Sequence, residues 1–281
     1  MVIEQEAQEM LRTAVFSALI AVCSTSLAQG LRISTHVYDV SKADTRTPTQ
    51  IVSSSLSLIH NGRIYDYVDS ADEVIIFDLV EKRFTVLNES RGMSTRLTFD
   101  EIRHMMDGRQ PRTAEYLKEL SSTADPTSKR IADSIRFQMN PKFSQTFDPM
   151  KGTLVLSSPS FIYRVETRKW NDPLQVEKYL TYADWTAQLN SILHPGSLFP
   201  EPRMALNKAL RELKDRMPIS VELDRRPAEQ FRLRAEHQLT QKITNDDHQR
   251  IARWEDSLTS GSIKEVSFRA YQQATLLSKA P

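Results

Sequence analysis

The stretch SLIHNGRIYDYVDSADEVIIFDLVEKRFTVLN, residues 57–88, sets four apolar and aromatic runs against three short polar breaks. The first break is Asn61-Gly62, the pair that most readily supplies the positive φ needed at both centres of a two-residue hairpin turn. That turn fixes the register: His60 faces Arg63, Leu58 faces Tyr65 and Leu56 faces Tyr67, so Leu and Tyr pair along one face. The next hairpin is apolar on both faces, with Ile75, Phe77, Phe84 and Val86 on one and Val74, Ile76 and Leu87 on the other. Such strands are usually covered on both sides.

Working outward, LRISTHVYD (31–39) and IVSSSLSLIH (51–60) precede this hairpin pair and MSTRLTF (93–99) follows it, which predicts six strands between residues 31 and 98. A polar loop, SKADTRTPTQ, separates the first two. At Thr98-Phe99-Asp100-Glu101 the pattern changes to a capping box, and helices are expected at about 99–107, 112–122 and 126–139, the last opened by Asp125 and Pro126. A second strand block, TLVLS (153–157) and FIYRVETR (161–168), leads to Asp172-Pro173 and a long helix to about Leu193. HPGSLFPEP interrupts the chain, and Pro202 opens a helix expected to reach about Arg216. From Phe231 to Ile243 the odd positions read Phe, Leu, Ala, His, Leu, Gln, Ile and the even ones are polar, a strand that pairs with ISVEL (219–223). Two helices, about 246–259 and 264–276, close the chain.

The N-terminal end carries a different signal. Residues 13–26 hold no charge and are rich in Ala, Val, Leu, Ile and Phe, and Ser26-Leu27-Ala28-Gln29 has small residues where a signal peptidase cuts. A signal peptide over 1–28, cleaved after Ala28, is the expectation, with Met10 an alternative start that gives a more ordinary leader. The apolar run is shorter than the ~20 residues of a spanning helix. Cys23, the single cysteine, lies inside it, so a chain starting at Gln29 has no thiol for disulfides, nucleophilic catalysis or metal. Lipid attachment at Cys23 is the competing reading, opposed by Val22 where a small residue is wanted. Removing 1–28 takes away Arg12 and three glutamates, which moves the net charge from +1 to +3 and leaves 253 residues. That charge marks neither a nucleic-acid nor an anionic-membrane binder.

Reactive motifs are sparse. The glycines stand at 30, 62, 92, 108, 152, 196 and 261, too far apart for a dinucleotide fingerprint, a phosphate loop or a Gly-x-Ser-x-Gly elbow. The six histidines (36, 60, 104, 194, 237, 248) show no metal-ligand spacing, so no cofactor or metal is expected. His237, on the apolar side of its strand, is either a core histidine held by a hydrogen bond or a catalytic base, and His60 beside Arg63 is either a solvated turn or an anion-binding rim. The pairs Asp72-Glu73, Asp100-Glu101 and Asp246-Asp247 fall at turns and helix starts, where carboxylates cap. Arg225, Arg226, Arg232 and Arg234 form a basic group without interleaved aromatics, a solvated face rather than a nucleic-acid surface. Trp170, Trp185 and Trp254 are expected to pack helices onto the sheet.

The run NGRIYDYVDSADEVIIFDLVEKRFTVLNESRGMSTRL, with its G-x-x-Y, V-I-F-D and K-x-F-T-V-L-N segments, resembles the periplasmic lipoprotein-carrier and lipoprotein-sorting superfamily. MPISVEL (217–223) is similar to a late strand of related exported domains, and the whole chain resembles exported proteins of planctomycete-type bacteria. The resemblance covers 50–98 by motif and the rest by element order, and it carries over no individual functional residue. It implies six antiparallel strands, then helices and further strands, curled into a half-barrel around an apolar cavity that shields acyl chains or another hydrophobic ligand.

These observations predict an α+β fold: a curved, half-barrel-like antiparallel sheet of about ten strands, with helices packed on its concave face. They predict one domain over 29–281 with helical insertions at about 99–140 and 173–216. The functional expectation is an exported, soluble, non-catalytic carrier whose partner is a lipid, an acyl chain or a hydrophobic peptide segment. Leu56, Leu58, Tyr65, Tyr67, Phe77, Phe84 and His237 are the candidate ligand-lining residues. The alternatives are an envelope-interaction protein with a filled interior, and a hydrolase using His237 or His60 with a distant carboxylate within about 3.2 Å.

Overall fold

The structure, a computed structural model, describes residues 30–41, 50–194, 196–225 and 231–277. The expected signal segment with Cys23, most of the loop after residue 41, and Arg226 of the basic group lie outside these residues.

Hairpin chemistry builds the first half of the sheet. Strands β1 (Leu31–Asp39), β2 (Gln50–His60), β3 (Arg63–Val68), β4 (Glu73–Asp78), β5 (Arg83–Asn88) and β6 (Met93–Thr98) pair antiparallel in sequence order. Asn61 and Gly62 both take positive φ (47° and 80°), and the register His60–Arg63, Leu58–Tyr65, Leu56–Tyr67 follows. After two helices come β7 (Ser144–Asp148), β8 (Thr153–Ser157) and β9 (Ile162–Lys169), and after two more β10 (Arg216–Asp224) and β11 (Arg232–Thr240). β1 joins the halves by pairing with β2 on one side and β11 on the other. With β12 (Lys264–Glu265), the one parallel addition, the result is a twelve-stranded sheet that does not close, ordered β12-β6-β5-β4-β3-β2-β1-β11-β10-β9-β8-β7. The protein is α+β, with two more strands than expected: β7, whose SQTFD carries little apolar signal, and the two-residue β12.

Among the described residues six α-helices complete it: α1 (Phe99–Ser122), α2 (Pro126–Met139), α3 (Pro173–Leu193), α4 (Glu201–Glu212), α5 (Asn245–Thr259) and α6 (Phe268–Leu277). The Thr98–Glu101 capping box forms as expected, and Asp125 caps α2 by accepting from the Ser128 amide. Three boundaries differ from the sequence reading, one of them the last helix, which starts at Phe268 rather than about 264 because Lys264–Glu265 pair with β6. Residues 99–122 form one helix running through Gly108 and Pro111, although an interior proline removes a backbone donor and crowds the carbonyl four residues before it. The helix opened by Pro202 stops at Glu212, and Lys214 takes a positive φ of 61° to turn the chain into β10, so Arg216 starts a strand.

The sheet is covered on two sides. On its inner face Leu31, Ile33, Ile59, Ile64, Ile75, Phe77, Phe84, Val86 and Leu97 join Phe99 and Ile102 of α1, Tyr179, Tyr182 and Leu189 of α3, Leu206 and Leu210 of α4 and Tyr271 of α6 in one buried cluster. On the outer face Leu58, Tyr65, Val74, Ile76 and Leu87 pack against Ile251 and Trp254 of α5 in a second. The expectation that helices share one face is corrected: α5 covers the other, as the doubly apolar β4 and β5 require. The outer face of β9–β11 is charged, with Arg232 on Glu222 at 2.8 Å and Arg234 on Glu236 at 3.0 Å, while Arg225, just past β10, lies over the ring of buried Phe161 at 5.2 Å.

Candidate functional site

One sequence-level detail places the site. Across the inner face, the row through β11, β1, β2, β3 and β4 reads Leu239, Ile33, Ser57, Asp66, Ile75, and the adjacent row begins His237, Thr35, Ser55. Over three strands the large apolar side chains give way to Ser, Thr and one acid, and the sheet loses height there. Above this window lies α3, whose Tyr179, Tyr182, Ala183, Thr186, Ala187 and Asn190 recur at helical spacing on one face. Alanines facing serines cannot meet. The gap is a solvent-open cleft of about 490 Å³, closed at its lip by Ser197–Pro200 and by Arg203 of α4, with Tyr163 of β9 at the back.

The roof is held in place by several contacts. Asp172 caps α3 by accepting from the amides of Leu174 and Gln175, and the Trp170 indole donates to Gln175 Oε1 at 2.9 Å. Trp185 stacks on Phe99 at 3.9 Å, and Tyr182 sits edge-on to Phe77 at 5.6 Å. α4 is braced to α3 through Asp184, which accepts from Asn207 at 2.7 Å and from Arg211 at 2.6 Å. The lip is anchored by the Phe199 amide on Gln138 Oε1 at 3.1 Å, with Arg109 over the Phe199 ring at 4.2 Å.

Two polar groups stand out in the cleft. Buried Asp66 accepts from Tyr182 Oη and from Ser57 Oγ, both at 2.7 Å. Burial raises its pKa, and the two hydroxyls pull it back in part. His237 shares a hydrogen bond between Nδ1 and Thr35 Oγ1 at 2.9 Å, while its Nε2 is buried and has no partner. Burial first, and the nearby Arg203 charge second, lower its pKa to about 4, so the ring is neutral at pH 7. Burial also pushes the Tyr163 hydroxyl up to about 12, against the pull of Arg203 and Arg225.

The seven sequence candidates are not brought together. Leu56, Leu58, Tyr65 and Tyr67 lie on the outer face, where Trp254 stacks against Tyr65 at 6.4 Å and Tyr67 at 6.2 Å. Phe77 and Phe84 lie on the inner face, packed on each other at 5.1 Å and on Phe99 in the core. These six do not line one common surface, because the odd offset between Tyr67 and Phe84 across two hairpins puts their side chains on opposite sides of the pleat. His237 alone lines the cleft. His237 Nδ1 is engaged by a threonine, and His60 meets the His248 ring edge-on at 4.8 Å. Among the described residues no group of three His, Cys, Asp or Glu side chains could hold a metal ion.

Sequence reading missed Ser57, Asp66, Tyr182 and Arg203. A usable signal was present: an acid between two tyrosines in mid-strand, opposite inward-facing serines, is a polar interruption that a sheet interior tolerates only with partners.

No family model and no curated protein matches the chain. Among the described residues no helix is long and apolar enough to cross a membrane.

Proposed function

We propose that the protein is an exported binding protein whose cleft between the inner sheet face and α3 holds one small amphipathic molecule. The observation that carries this is the cleft itself: about 490 Å³ under a braced helix, within the range of small-molecule sites, and largely apolar with a few convergent polar groups. Ile33, Ala183, Ala187, Leu198 and the rings of Tyr163, Tyr179 and Tyr182 offer an apolar lining, and Thr35, Asn190 and His237 offer hydrogen bonds. This narrows the acyl-chain expectation to a ligand with a polar end. Export rests on the uncharged apolar run 13–26.

Native mass spectrometry of protein isolated gently from its source, compared with Ala187→Trp and Ser55→Phe variants that fill the cleft from roof and floor, tests the reading. The expected result is a bound small molecule on a wild-type chain beginning at Gln29, lost from both variants at unchanged circular dichroism. Ligand-free wild-type protein, or a ligand retained equally by both variants, refutes the cleft as its site.

A further inference from the structure

Among the described residues two arginines around α4 are paired, whereas Arg203, which faces the cleft, is not. Arg211 binds Glu177 at 3.0 Å and Asp184 at 2.6 Å, and Glu201, two residues before Arg203, faces Arg109 at 3.4 Å. Arg203 is half-buried at the cleft lip, and among the described residues no carboxylate lies within ion-pair distance of it. The carboxylate of the cleft, Asp66, is occupied by Tyr182 and Ser57. A guanidinium at a cleft lip with no counter-charge keeps its donors available to a bound anion. Close to it lies His237, whose Nε2 is, with Thr186 Oγ1, one of two buried polar atoms of the cleft lining that lack a partner among the described residues.

Resting on the cleft reading above, we propose that the ligand is a carboxylate-bearing amphiphile, its two oxygens shared between the Arg203 guanidinium and His237 Nε2 and its apolar body lying along α3. The charge count favours a monoanion. Among the described residues Arg203 is the one guanidinium or ammonium lining the cleft, so a phosphate dianion lacks a second cation there, whereas a planar carboxylate matches the guanidinium fork. Thr35 completes the arrangement: when its hydroxyl donates to Nδ1, the ring proton sits on Nε2 and faces the ligand as a donor.

Titration calorimetry at pH 7.5 with octanoate and octan-1-ol, equal in length and different in charge, separates this proposal from the cleft reading. The wild-type chain is expected to prefer octanoate, and Arg203→Met to weaken octanoate roughly 10- to 100-fold while leaving octan-1-ol unchanged. Arg203→Lys, which keeps the charge and loses the fork, is expected to fall between. Equal wild-type affinity for the two probes, or an octanoate affinity unmoved in Arg203→Met, overturns the carboxylate site and leaves the cleft standing. Binding of neither probe to the wild-type chain overturns both.

Discussion

Replacing Trp254 by alanine tests whether α5 is an integral cover of the sheet. Its side chain is 1 % exposed, lies among Leu58, Val74, Ile76 and Leu87, and stacks on two tyrosines. Burying an aromatic of ~150–250 Å² at about 25 cal/mol per Å² contributes ~4–6 kcal/mol, and alanine retains a small part of it. Trp→Ala in a core costs about 3–5 kcal/mol, a large share of the ~5–15 kcal/mol that holds a domain folded. A second substitution sharpens the test. The Trp254 Nε1–H is buried without an acceptor, a penalty of about 1–3 kcal/mol that phenylalanine does not carry. Trp254→Phe is therefore expected to lie within about 1.5 kcal/mol of wild type, the lost area being offset by the removed donor. Urea unfolding followed by far-ultraviolet circular dichroism measures both. A Trp254→Ala loss below about 1 kcal/mol, or Trp254→Phe as costly as Trp254→Ala, refutes the reasoning.

Two further outcomes follow from the geometry. Burial holds the Asp66 proton to higher pH than in the unfolded chain, where the carboxyl ionises near about 3.9, so its contribution to stability is full below that value and is lost as pH rises through the raised native value. Asparagine does not titrate, so the stability of Asp66→Asn relative to wild type is expected to rise between pH 4 and pH 8 in urea titrations; a flat or falling difference contradicts a raised native pKa. Gly152 and Gly92 both take positive φ, 66° and 61°, but a Cβ at 152 meets Thr167 O at 2.6 Å and Arg216 Nη1 at 2.7 Å while one at 92 meets nothing within 4 Å. Gly92→Ala is expected to cost about 1–2 kcal/mol and Gly152→Ala clearly more, and equal thermal midpoints for the two variants disprove the close approach at 152.

The strands were legible because their evidence is local. Asn61-Gly62, the alternation in 231–243 and the Thr98 and Asp125 caps each determine structure from a few adjacent residues, and β1–β6 fall where the pattern put them. β7 escaped notice because Ser144, Gln145 and Thr146 are exposed, so no burial pattern marks them, and their ladder partner β8 supplies the order. The cleft was less legible for a geometric reason. It exists where inward serines of β2 meet alanines of α3, more than 120 residues later in the chain, and neither set announces the other. The sequence reading looked for a site where apolar side chains are largest, but large side chains fill space, and the vacancy lies where they are smallest.

The seam at β1 bears on how the molecule is assembled. Ile33 is matched to Leu239 and Thr35 to His237, partners more than 200 positions away. Until β11 has been synthesised, the far edge of β1 presents an unfilled row of amides and carbonyls, and later β11 offers the complementary row. Two nascent copies that meet in this interval can exchange these strands, forming the same ladder between molecules as within one, so the step that completes the fold is also its route to a swapped dimer.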